Sequence, residues 1–212
     1  MKQVRVRTPR LGASVPHTAA ALCLLVLLGA PGLHAQGVDR EELEKSRSAR
    51  IVFINYEGPH ARIESREDIR GIGLALGRAI RAGAVRAGSA NRYFAVNSVA
   101  PGTAEKLNAD MLGLGVDVPV DHIRNLRLIL QGYLEGAYEY SAGDAALLAE
   151  FITVYNAAYR GNWEYFTGRY REGVVKELTP DKAGLSIRFD EWPGRALILI
   201  RSEERRVGKE CR

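Results

Sequence analysis

Side chains able to do acid–base, metal or nucleophilic chemistry are few here, and badly spaced for it. The chain has 212 residues and four histidines. Two of them, His60 and His122, lie far apart in the body of the sequence, with no HExxH pattern and no nearby cysteine. A zinc centre needs three or four ligands in a familiar spacing. No metal is expected, and both histidines read as surface or capping residues. Cys23 and Cys211 sit in the two ends. Residues 37–200 therefore hold no disulfide, thiol nucleophile or Cys-based zinc site. GxSxG, Walker-loop and EF-hand patterns are missing. Gly71, Gly73 and Gly77 superficially resemble a dinucleotide loop, but the spacing is GxGxxxG and it falls inside a helical stretch. The fingerprint belongs between a strand and a helix start; small residues on a helix serve close packing instead. No cofactor is expected. Acid pairs exist, Glu57 with Glu64 and Asp190 with Glu191. A carboxylate-based hydrolase would need two acids about 5–9 Å apart, one of them with a raised pKa. Asp190 and Glu191 instead fall in a turn, where acids are solvated and satisfy turn amides. No catalytic residue is assigned, and the chain is not expected to be an enzyme.

The aromatic residues are more informative. The chain has nine Tyr, five Phe and two Trp, and most of them cluster between residues 133 and 170. One reading is packing, with Tyr and Trp filling a core seam and leaving their polar ends wet. Phe151 and Tyr155, with Leu147 and Leu148, are assigned to that core. The other reading is a recognition surface, which Tyr and Trp favour. Tyr138, Tyr140, Trp163 and Tyr165 flank two chain breaks, at residues 141–143 and 161–162. With Tyr159 and Tyr170 as neighbours, they form the predicted binding surface.

Hydrophobic periodicity supplies the elements that must position these groups. Residues 51–55 (IVFIN) and 93–99 (YFAVNSV) read as strands. Ser65 with Asp68 resembles a capping box and opens a helix over 66–84. Its apolar stripe is Ile69, Ile72, Leu76 and Ile80. Residues 104–112 read as a short helix, 120–139 and 144–159 as strong ones, and 163–178 as another. Residues 185–189 and 195–200 read as a C-terminal hairpin about the Trp192-Pro193-Gly194 turn, with Gly194 free to take a positive φ. The expected fold is α+β, or α/β. It has a small sheet of about four strands, including that hairpin, packed with about five helices. The two early strands are expected to pair in parallel.

Thirty Lys and Arg oppose 25 Asp and Glu, for a formal net charge of +5. The excess is terminal. Residues 1–36 carry Lys2, Arg5, Arg7 and Arg10 and no acid, and the C-terminal residues 201–212 are rich in bases. What remains, 37–200, is about neutral, so no nucleic-acid partner is expected. The basic start, the apolar run 19–28 and Leu33-His34-Ala35 have the plan of a secretory signal. The run is too short for a membrane span, which takes about 20 residues. Cleavage after Ala35 would leave Gln36 first, then a linker over 36–50 and one domain over 51–200. Membrane contact is expected only through an uncleaved signal segment. Residues 201–212 are similar throughout to the translation of a common sequencing-library adapter. They are set apart as an artefactual tail, with the natural chain expected to continue past Ile200.

Four strings carry a resemblance: 55–59 (NYEGP), 64–73 (ESREDIRGIG), 154–163 (VYNAAYRGNW), and 178–188 (LTPDKAGLSIR) with 191–194 (EWPG). They resemble the 83/100-kilodalton antigen family of the spirochaetes Borrelia and Treponema, across most of 51–200. The resemblance implies an exported, envelope-associated and immunogenic protein, with a long charged helical region after this domain. It brings no catalytic residues. The expected function is a structural or partner-binding envelope domain in the periplasm or cell envelope. Its partner would be an envelope protein or peptidoglycan. The alternatives are a periplasmic glycan- or peptide-binding module and a carboxylate-based hydrolase.

Overall fold

A computed structural model describes residues 50–58, 65–98 and 106–201. The signal segment, nearly all of the linker, His60, Glu64 and the tail after Arg201 lie outside the described residues. Helix α1 (Arg66–Arg81) starts as expected: the Ser65 hydroxyl accepts the Asp68 backbone N–H. Glu67 and Asp68 sit in its first turn and Arg78 and Arg81 in its last, each sign where the helix dipole favours it.

Four strands follow: β1 (Arg86–Gly88), β2 (Tyr93–Ser98), β3 (Ala109–Leu114) and β4 (Ala196–Arg201). They form one sheet in the order β1-β2-β3-β4, every pair antiparallel. Between β3 and β4 come α2 (Ile123–Tyr138), α3 (Ala142–Ala158), α4 (Trp163–Arg169) and α5 (Glu172–Val175). The α+β class and the numbers of strands and helices agree with the sequence reading, though not every element does.

Several local readings are corrected. Within the stretch 104–112 read as a helix, the described residues 106–112 are not helical, because β3 occupies 109–114. Ala109 and Met111 face one side of the sheet and Asp110, Leu112 and Leu114 the other, all six strand residues buried. Pairing on both sides overrides the helix propensity of Ala, Leu and Met. Residues 51–55 are not a sheet strand. The segment makes one parallel bridge, Ile54 to Arg188, so the early strands do not pair in parallel. Residues 185–189 do not form a hairpin arm. Their backbone is taken elsewhere: Leu185 N–H goes to Asn156 O, and Ile187 O accepts from Ile54 N–H. Residues 189–191 instead make a short 3₁₀ turn. The helix expected over 163–178 breaks at Tyr170, where the chain leaves to pair with the residue ahead of β3. Leu107 N–H donates to Arg169 O, and Arg171 N–H to Leu107 O.

The two faces of the sheet are covered differently. On the inner face, Ala95, Leu112, Ile198 and Ile200 pack with α1, α2 and Trp192. The glycines of α1 and α2 make this possible. A Cβ on Gly73 would lie 1.8 Å from Ile129 O, and one on Gly132 would lie 2.0 Å from Arg70 O. Gly77 and Gly136 meet the partner helix backbone in the same way. Each helix thus carries a small-xxx-small pair that lets the two backbones touch. That is the packing role expected of the GxGxxxG glycines at Gly73 and Gly77; at Gly71 a Cβ would meet open space. Trp192 is fully buried, and its indole N–H donates to Ser186 O at 2.8 Å. Gly194, two residues on, has φ +67°, as the turn reading required.

On the outer face, Val96, Met111, Leu197 and Leu199 pack with α4 and α5. The free edge of β4 is closed by unlike groups. Leu197 N–H donates to Lys182 O, and Leu197 O accepts from Gly184 N–H. Leu199 is met by the Asn156 side chain, which accepts its N–H at 2.9 Å and donates to its C=O at 2.9 Å. An edge strand left open is a template for unwanted pairing; here a carboxamide from α3 stands where another strand would. Among the described residues, no helix is long and apolar enough to cross a membrane.

Candidate functional site

The six aromatics of the predicted binding surface do not form one. Tyr140, Tyr159 and Tyr170 are buried, and Tyr138, Trp163 and Tyr165 are half-buried. They also divide between the two faces. Tyr138 and Tyr140 belong to the inner cluster, their rings edge to face at 6.3 Å. The Tyr138 hydroxyl donates to the buried Asp110 carboxylate, as does the Tyr133 hydroxyl at 2.7 Å. The other four belong to the outer cluster. Tyr155 OH lies 2.8 Å from both Tyr165 OH and Tyr170 OH. Tyr159 stacks on Tyr165 with centroids 3.8 Å apart. Burial, reinforced by Tyr170, pushes the Tyr155 hydroxyl far above its ordinary pKa. These hydroxyls answer one another inside the fold, so the packing reading describes the cluster. Tyr155 is core as assigned, Phe151 and Leu148 are half-buried, and Leu147 is 67% exposed.

Two exposed carboxylates have lowered pKa values. The Arg188 guanidinium beside Asp190 holds its carboxyl below the usual range. The Thr179 hydroxyl does the same for Asp181. A catalytic acid needs the opposite shift. Glu191 accepts from the Ser186 hydroxyl at 2.7 Å, next to Arg188. Glu57 is exposed in the 51–58 segment. His122 caps α2, its Nδ1 accepting Arg124 N–H at 3.0 Å. Asn55 supports the same helix start, accepting Ile123 N–H at 2.8 Å.

A concave feature lies on the outer face, mostly in residues the sequence reading left aside. Where α4 and α5 stop, a groove of about 290 Å³ lies over the sheet. Phe94, Val96, Met111 and Leu197 form its floor. A Cβ on Gly113 would lie 2.0 Å from the Phe94 ring, so the glycine lets that ring lie across β3. One wall is the stretch containing Glu177, Thr179 and Lys182. Arg86 stands at the β1 end. It bonds Glu177 at 2.8 Å and holds its guanidinium 5.2 Å from the centre of the Phe94 ring. Exposed Val116 flanks the mouth beside Gly194. The floor was hidden in the sequence because reading β3 as a helix concealed the alternation that puts Met111 beside Val96. Val96, Met111 and Leu197 are themselves almost fully buried, and Phe94 is the half-buried apolar side chain of the floor.

A family model described as Borrelia P83/100 protein matches residues 40–209. No curated protein and no solved structure matches the chain.

Proposed function

The chain belongs to the Borrelia P83/100 protein family, and from that premise we propose that it is an exported, envelope-associated domain that works by binding rather than by catalysis. The outer groove is its binding site. One observation carries this reading: where α4 and α5 stop, a groove of about 290 Å³ lies on the outer face with Arg86, Glu177 and Lys182 along it. The signal-like plan of residues 1–35 supports export. The lowered carboxyls of Asp181 and Asp190 speak against the hydrolase alternative at those two acids.

Crosslinking in cells tests the reading. A photoreactive residue replaces Asn91 at the exposed rim, and a second probe replaces exposed Leu147 on α3. The expected result is an envelope adduct from position 91 that disappears when Val116→Trp narrows the mouth, in protein whose mass begins at Gln36. An adduct from position 147 alone, or one unaffected by Val116→Trp, overturns the groove. A mature mass that retains residues 1–35 overturns cleavage.

A further inference from the structure

We propose that the solvent face of α3 is a dimer surface, on which the helix packs antiparallel against α3 of a second copy of this chain. The proposal does not depend on the groove. A surface helix ordinarily turns charged and polar residues outward, and α1 does so with Glu67, Arg78 and Arg81. The outward arc of α3 is instead Ala146, Leu147, Phe151, Val154, Ala157 and Ala158. Ala146, Leu147 and Ala158 are exposed and the other three half-buried. Leu147, Phe151, Val154 and Ala158 follow the i, i+4, i+7, i+11 spacing of one helix face. Contiguous apolar surface of this kind marks an interaction site. The charge on the arc is Glu150, and Arg127 of α2 holds it at 3.3 Å. Covering the face therefore leaves that carboxylate with a partner from its own chain.

The distribution of sizes along the face points to a second copy as its occupant. The large side chains, Leu147 and Phe151, lie in its first half, and Ala157 and Ala158 in its second. An antiparallel copy sets large against small twice over, about a two-fold axis near Ile152. Leu147 then meets Ala158 of the partner subunit, and Phe151 meets Val154 of the partner subunit. Such an interface is self-complementary and closes at two chains. A parallel copy would set Leu147 on its own counterpart and leave the alanines facing each other across a gap. The antiparallel arrangement also brings each helix N-terminus towards the other's C-terminus, where the dipoles attract. One helix face is small beside the interfaces of stable dimers, so the association is weak.

Sedimentation of the purified protein from about 10 µM to about 1 mM reads the association, a range suited to a weak interface. The average mass should climb towards twice that of the chain. Leu147→Glu and Ala158→Glu should each hold it at one chain, with the melting temperature unchanged because both positions are exposed. Cysteine pairs read the orientation, in protein whose Cys23 and Cys211 are replaced by serine. Under mild oxidation, Leu147→Cys mixed with Ala158→Cys should give the mixed disulfide about fivefold faster than either variant pairs with itself. In the antiparallel dimer like positions lie about 16 Å apart along the axis, beyond disulfide reach. A mass that stays at one chain throughout overturns the dimer. A dimer that survives both glutamate substitutions overturns its placement on α3. Like-with-like disulfides as fast as the mixed one overturn the antiparallel arrangement. The groove fails separately, through the position-91 adduct; a self-adduct from position 147 has twice the mass of the chain and is thereby distinguished from an envelope adduct.

Discussion

The inner and outer faces of the sheet come from the same strands, with the same alternation of apolar side chains, yet they end in different states. On the inner face two helices lie so close to each other that glycines are required at four contact positions, and Trp192 fills the remaining space. On the outer face α4 and α5 are short, seven and four residues. They cover β3 and β4 through Phe166 and Val174, joined by Tyr155, Tyr159 and Tyr170 from α3 and the flanking turns, and leave Phe94 and Val96 beside a groove. Long helices with small contact residues make a close-packed face; short helices with large ones make a face with space in it. Stability should therefore concentrate on one side and binding on the other.

Substitutions should separate the two faces in order of size. Gly73→Val places a branched side chain against the α2 backbone and should cost about 3 kcal/mol or more in urea unfolding, at the upper end of overpacking. A cost below about 1 kcal/mol would mean the helices part easily and the contrast fails. Asn156→Leu strands the N–H and C=O of Leu199 in a buried setting and should cost about 2–3 kcal/mol. Retention of wild-type stability there would show that the edge needs no partner. Gly194→Val meets both a positive φ and the nearby Val116 side chain; about 1–2 kcal/mol is expected, read as a lower melting temperature. Glu177→Gln breaks an exposed ion pair at the groove wall and should cost under about 1 kcal/mol. A larger loss would make the outer wall structural.

The smallest effect concerns pH. Arg188 lowers the Asp190 carboxyl in the folded protein, so the stabilisation from this ion pair is present above the ordinary aspartate range. It is lost as pH falls through the lowered folded value. The Asp190→Asn variant should differ slightly from wild type at neutral pH and converge with it in acid. Melting temperatures that diverge on acidification would contradict this.

Much of the inner face was legible in the sequence and much of the outer face was not. The stripe Ile69, Leu76 and Ile80, the Ser65 cap and the helix over 120–139 are local signals, and each appears in the fold. Of the α1 glycines, Gly73 and Gly77 have the packing role the pattern suggests and Gly71 does not. Errors arose where long-range pairing decides the local state. Residues 109–114 have helix-compatible composition and become a strand only because β2 and β4 lie on either side. Residues 51–55 have strand composition but find a single bridge partner. The aromatic cluster was located correctly and its two candidate roles were both stated. Burial of Tyr140, Tyr159 and Tyr170 follows from hydroxyl partners contributed by separate elements, and spacing along one helix does not reveal those.

Placement of β4 also has a consequence in time. The chain finishes β3, then must complete four helices before the strand that neighbours β3 is synthesised. Pairing across so long a separation is slow, because the intervening loop must be closed before any contact rewards it. During that interval β3 would present an open edge with apolar side chains on both faces, the kind of surface through which partly folded chains associate. Asn156 is already in the chain by then, on the helix that will cover the missing strand. Arrival of Leu199 at that amide is the event that ends the vulnerable period.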